Sequence, residues 1–229
     1  MAEQGVSNER RRELEQLDPF QENLLKAMNY GKKYKNQIIL IAGAIVLVAV
    51  VFSGIMYSFQ KAENNAATLV NQAFTKYAKV NDPVKGYLEI REDFQTIFTD
   101  YANTIAGRLA LIKFAKICYD ASEFDQSYEF YKEAFETFKD EALMGNFLLA
   151  SLGHVSLARE EFEEAKKYFL QIEKGETGLL KDEAVFALAM LDEADDNTAE
   201  SKKMYEKIVS EYENSMYKPI AESKIAQMD

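Results

Sequence analysis

Apolar positions divide the chain into three stretches with different periods. From Ile38 to Phe59 the residues read IILIAGAIVLVAVVFSGIMYSF, 22 residues without a charge. As a helix this segment extends about 33 Å, enough for a hydrocarbon core of about 30 Å. A buried core helix is the competing reading, but core helices seldom run so far without a polar side. A cleaved leader also competes. However, 37 residues precede the run. The run is longer than a leader's apolar region, and no small-x-small pattern follows it. The pattern therefore predicts an uncleaved signal anchor over 38–59, with Tyr34 and Tyr57 near its ends, where aromatic rings suit the interface.

Upstream, residues 8–17 (NERRRELEQL) are charged and helix-prone. Asp18-Pro19 then reads as a cap followed by proline at the first helical position. Phe20, Leu24, Leu25 and Met28 follow at helical spacing, and Gly31 is expected to end the pattern. The expected product is a short helix with one apolar stripe. It either lies on lipid or docks against a membrane partner.

Downstream the period is helical throughout. Helices are expected near 61–80, 84–99, 105–121, 125–138, 141–157, 161–173, 179–193, 198–211 and 216–228. Asp82-Pro83, Asn103-Thr104, Asn197-Thr198 and Asn214-Ser215 are start signals, and Gly175 and Gly178 mark a turn. The second helix of each pair repeats a large apolar residue and another three later: Phe94 and Ile97, Tyr131 and Ala134, Phe169 and Ile172, Tyr205 and Ile208. The steps are 37, 38 and 36 residues. Independently, Tyr101-Ala-Asn103-Thr104 with Ala110, Lys113 and Ala115 matches Tyr212-Glu-Asn214-Ser215 with Ala221, Lys224 and Ala226. That offset is 111, the sum of the three steps. Four helical hairpins, each unable to bury its own face, would stack into one core, with the last helix closing the end. An irregular helical bundle is the alternative.

These units resemble the tetratricopeptide repeat family, whose helix-turn-helix unit is about 34 residues. The best match is Leu152-Gly153 with Phe162, Ala165 and Phe169. Phe124, Ser127, Tyr131 and Ala134 match the preceding unit, and Ser201, Tyr205 and Ile208 the following one, where Ala189 replaces the glycine. Phe74, Tyr77, Ala78, Phe94 and Ile97 form the unit that fits least. The resemblance implies an all-α solenoid of about four hairpins plus a capping helix, on one N-terminal transmembrane helix.

In that family the first helix of each pair lines a concave face. The register places Gln72, Thr75 and Lys79, then Ile112, Lys116 and Tyr119, then Phe147, Ala150 and His154, then Phe186, Met190 and Glu193 there. Thr75, Ile112, Ala150 and Phe186 stand where a carboxylate clamp would need Lys, Arg or Asn, so an apolar helix or unfolded segment is the expected ligand. The competing expectation is that these residues pack within the repeat itself.

Charge separates the three parts. Residues 1–37 carry net +1, the apolar run carries none, and 60–229 carry −12. Arg10, Arg11, Arg12, Lys26, Lys32, Lys33 and Lys35 precede the run, and only Lys61 closely follows it. The positive-inside rule then predicts a cytoplasmic arm (1–37), an anchor (38–59) and an exported domain (60–229) in the inner membrane of a bacterium-like envelope. An organelle membrane is the competing location. Ala49 and Ser53 have the spacing that lets two membrane helices approach. The formal charge of −11 argues against a broad nucleic-acid surface.

The layout is similar to the ancillary subunit group of the bacterial SecYEG translocon, with a short arm, one span and an exported repeat domain. That resemblance implies a protein-binding adaptor, with translocon subunits and exported clients or chaperones as partners. A structural accessory subunit of another envelope complex is the alternative.

Chemistry-bearing residues are sparse. Ten glycines and three prolines argue against collagen-like and turn-dense β folds. With one cysteine and one histidine, a Cys/His zinc site, a disulfide framework or a Cys-His nucleophile is not expected. His154 reads as a polar groove residue. Cys118 reads as a small buried hydrophobe, standing where the resembling family often has Tyr. The acidic run Asp192–Asn197 lacks the glycine-containing calcium loop and is expected to cap the following helix. Glu163 and Lys167 have ordinary i,i+4 spacing. No phosphate loop or nucleophile elbow occurs. Neither catalysis, a cofactor nor a metal is therefore expected.

Overall fold

The computed structural model describes residues 19–228. The charged stretch 8–17 and the expected cap Asp18 lie outside the described residues. Among the described residues there are ten helices and no strand. The chain divides at Phe59/Gln60 into two compact units.

The first unit holds α1 (Pro19–Lys33) and the beginning of α2 (Lys35–Tyr77). Gly31 does not end α1. Glycine weakens a helix interior by about 1 kcal/mol, which is too little to stop it without a left-handed turn or a following proline. Helical hydrogen bonding even continues past the junction: the Tyr34 N–H donates to the Tyr30 carbonyl and the Ile38 N–H to the Tyr34 carbonyl, both at 2.9 Å. Among the described residues one helix, near the N-terminus, is long and apolar enough to cross a membrane, and none of its most apolar stretch is buried by protein. The large side chains from Ile38 to Phe59 are all exposed.

The helix expected at 61–80 is not separate; α2 runs unbroken from Lys35 to Tyr77. Gln60, Lys61 and Ala62 favour helix, and no proline or cap residue interrupts them. The second unit continues with α3 (Pro83–Asp100), α4 (Ile105–Asp120), α5 (Phe124–Phe138), α6 (Ala142–Ala158), α7 (Phe162–Lys174), α8 (Lys181–Ala194), α9 (Thr198–Glu211) and α10 (Lys218–Met228). Two starts have the expected caps. The Asp82 carboxylate accepts the Lys85 N–H at 2.9 Å, and Thr104 Oγ1 accepts the Gly107 N–H at 2.9 Å. The Glu63 carboxylate adds two more bonds at the start of α4, accepting the N–H groups of Ile105 and Ala106 at 2.7 and 2.8 Å. Ser215 works differently. Its Oγ donates to Asp182 at 2.7 Å and accepts from the Tyr217 N–H at 3.1 Å, while α10 begins at Lys218.

From α3 to α10 each helix packs on the next in the chain. The second helices bury the repeated positions: Phe94, Tyr131, Phe169 and Tyr205 form one column, and Ile97, Ala134, Ile172 and Ile208 another, all at 4% exposure or less. One turn earlier stand Ile90, Ser127, Ala165 and Ser201, all fully buried. The Ser127 hydroxyl donates to the Ala115 carbonyl at 2.8 Å, and the Ser201 hydroxyl to the Ala189 carbonyl at 2.9 Å. In the intervening hairpin Ala165 occupies the serine position and Gly153 the alanine position. A Cβ on Gly153 would lie 2.6 Å from the Phe169 ring, so only glycine allows α6 its approach to α7.

Three hairpins also turn identically. Ser122, Glu160 and Asp196 adopt φ near +60°. Each donates to a carbonyl three residues back, and the following residue donates to one five residues back: Glu123 to Cys118, Glu161 to Ser156, Asn197 to Asp192. This is the Schellman ending of a helix, made without glycine. The turn before α8 differs. There Gly175 ends α7, and Leu180 takes the left-handed conformation at the start of α8.

Two stability measurements follow, made by circular dichroism on the full chain in neutral detergent. Gly153→Ala forces the buried Phe169 ring to move and should destabilise by about 1–3 kcal/mol, lowering Tm by roughly 2–4 °C per kcal/mol; an unchanged Tm contradicts the close approach. Glu160→Gly relieves a left-handed residue and should stabilise by about 0.5–1 kcal/mol; a lower Tm contradicts the turn geometry.

Candidate functional site

A cavity of about 500 Å³ opens between α6 and α8. His154 and Leu157 on α6, Phe186 and Met190 on α8, Phe162 at the start of α7 and Tyr217 before α10 are among its lining residues. His154 Nε2 lies 2.6 Å from the Glu183 carboxylate, and its ring meets Phe169 edge-on at 5.4 Å. On the other side the Phe186 and Tyr217 rings stack at 4.6 Å with an interplanar angle of 19°. The Ser215–Asp182 hydrogen bond anchors the segment that carries Tyr217. Met190 and Phe162 remain about half exposed, at 52% and 51%. The result is an apolar recess with one histidine–carboxylate pair at its edge and two half-exposed side chains.

Of the positions expected on a partner groove, this cavity unites His154, Phe186 and Met190. Gln72, Thr75 and Lys79 line a separate, shallow polar depression on α2. Ile112 and Tyr119 are partly buried against the core, and Lys116 pairs with Asp120 on its own helix. Phe147 is exposed but lines none of the cavities described here. Ala150 is a correction: it is 5% exposed and belongs to the core cluster with Ala165, Phe169 and Leu188, so it cannot meet a ligand. Its small side chain suits close helix packing. Glu193 is also engaged within the chain. Lys224 and the Tyr205 hydroxyl bond its carboxylate at 2.7 and 2.9 Å, and the lysine holds it below the usual carboxylate range. Leu157, Phe162 and Tyr217 were not singled out as groove residues. Phe162 opens α7 and Tyr217 lies in a turn, so a period measured along the first helices could not include them.

The acidic run ends at the start of α9, where negative charge suits the helix N-terminus, although Asn197 makes no side-chain cap bond. Asp192 instead turns inward, 4% exposed, and accepts from Lys166 Nζ at 2.6 Å. Lys167 makes its short contact with Glu164 at 2.9 Å rather than with Glu163, which attracts it at longer range. No group of His, Cys, Asp and Glu suited to a metal ion occurs among the described residues. On α1, Phe20, Leu24, Leu25 and Met28 are all exposed at 45% or more.

Cys118 is fully buried in the cluster of Phe94, Phe114 and Ile117, and burial pushes its thiol up to about 12.

No protein-family model matches the chain, and no curated protein matches it in sequence. The reading of the site therefore rests on its geometry.

The thiol gives a direct check on the packing. A raised thiol keeps the reactive thiolate scarce at pH 8. Cys118 should resist a disulfide reagent in the native chain and react at once in guanidinium; rapid native reaction would place it outside the core.

Proposed function

We propose that the chain is a single-span, membrane-anchored adaptor for proteins, with a tetratricopeptide-like solenoid displayed outside the cytoplasmic membrane and the arm on the cytoplasmic side. The observation that carries the reading is the half-open apolar cavity between α6 and α8. Its residues Met190 and Phe162 stay exposed although the chain has a core in which to bury large side chains. A recess of this composition suits an apolar protein segment.

Further support comes from the repeats. Three buried columns of four residues and three identical turns recur at steps of 36–38 residues, as stacked hairpins of one design require. The exposed apolar segment from Ile38 to Phe59 needs a solvent other than water, and a bilayer is the natural one. The excess of Lys and Arg before that segment supports the orientation. Association with the export translocon, and with exported clients or chaperones, follows from the resemblance in layout.

The test is partner capture. The full chain, tagged at its C-terminus, is solubilised from native membranes in mild detergent beside a version with residues 1–59 exchanged for an unrelated anchor. Recovery of translocon subunits with the native anchor only is the expected result. Recovery of a different defined complex from both versions would replace the translocon reading with an accessory-subunit role.

A further inference from the structure

Charge around the cavity narrows the partner's chemistry. Phe162 and Asp195 line the apolar recess and also a neighbouring depression of about 700 Å³ at the start of α7. That depression carries Glu160, Glu161, Glu163 and Glu164. Its two cations are engaged. Arg159 contacts Asp125 at 2.9 Å and Glu161 at 3.0 Å, and Lys167 holds Glu164. Glu163 and Asp195 feel Lys166 only at longer range, because its short contact is with Asp192.

The end of α8 adds a second, independent observation. A helix C-terminus carries a partial negative charge and favours cations, yet α8 has no basic residue in its last turn. Asp192, Glu193, Asp195 and Asp196 crowd there instead. Lys166 answers Asp192 and Lys224 answers Glu193. Lys166 also attracts Asp195, but at longer range. A negative helix end and an excess of carboxylates over cations thus adjoin an apolar recess.

We propose that this recess receives a large apolar side chain of a partner peptide whose neighbouring residues are Lys or Arg. The apolar residue enters between His154, Phe186 and Met190, where the flexible thioether adapts to its shape. The cations reach Asp195 and the carboxylates at the start of α7. The proposal rests on the adaptor reading and specifies its ligand: a basic-apolar segment, opposite in charge to the acidic peptides that a carboxylate clamp would take.

The probe is a fluorescein-labelled synthetic peptide of about 15 residues, presenting Leu and Phe among Arg residues. Its binding to the full chain in neutral detergent is read by fluorescence anisotropy. Two control peptides replace every Arg by Glu, or Leu and Phe by Ser. Each control should bind at least about tenfold more weakly, and salt should weaken the parent peptide. Met190→Ser and Asp195→Lys alter exposed side chains; each should weaken the parent by about tenfold while Tm is preserved. Equal binding of the Arg and Glu peptides, or full affinity in both variants, overturns the proposal. Partner capture with the native chain in the same detergent keeps the two readings apart. Defined partners recovered despite indifferent peptides sink only this proposal, whereas no defined partner sinks the adaptor reading itself.

Discussion

The closest approach of the two helices within each hairpin sets the geometry of the second unit. At that contact a first helix offers Ala115, Gly153 or Ala189, and a second helix offers Ser127, Ala165 or Ser201. Where serine comes in, its hydroxyl ends on the opposing carbonyl and its polarity is satisfied. Where alanine comes in, glycine meets the Phe169 ring instead. These small residues bring the helices near enough for Tyr131, Phe169 and Tyr205 to be enclosed, and such large side chains dominate the energy of the core. Helices of 13 to 18 residues are marginal alone in water. Their stability therefore comes from contacts of this kind.

Charge is arranged around that packing rather than spread evenly. Residues 60–229 carry an excess of twelve acids, yet several of their lysines span neighbouring helices: Lys166 to Asp192, Lys207 to Glu173 and Lys224 to Glu193. Asp192 is the most demanding of these acids, because a carboxylate this deeply buried is tolerated only with a close partner. Its backbone carbonyl also accepts the Asn197 N–H that closes the turn into α9. The same residue thus joins an ion pair between α7 and α8 to the hairpin turn. Two of these lysines answer carboxylates in the last turn of α8, and Asp195 and Asp196 follow just beyond it.

Much of this was legible in the sequence, for a physical reason. Apolar residues at fixed offsets report burial directly, so Phe94, Tyr131, Phe169 and Tyr205 could be read as one column before any coordinates. Asp82 and Thr104 announced their helices because a cap is a local device. What could not be read were outcomes decided by competition. Gly31 weakens a helix but does not stop it when its neighbours favour helix. Ala150 falls on the expected groove face by period, yet sits in the core, because one turn of a helix packed on two neighbours has little exposed arc. Glu164 and Glu163 both stand one turn from Lys167, so spacing alone does not say which of them makes the short contact.

The cavity shows why a period can find part of a site and miss the rest. His154, Phe186 and Met190 recur at the repeat spacing, but so do Lys79, Ile112 and Lys116, which line no such recess. The difference lies in the segment before α10, which carries Tyr217 onto Phe186. That segment is held by Ser215 on Asp182, a position matched one repeat earlier by Asn146, whose amide bonds Thr177 and the Leu179 carbonyl ahead of α8. Equivalent residues on α6 and α8 therefore fix the chain entering the next first helix. At α8 that entering chain carries an aromatic ring, and the ring forms one wall of the recess. The recess is thus a product of the Tyr217 segment as much as of the repeated positions, and so it forms beside α8 rather than along every hairpin.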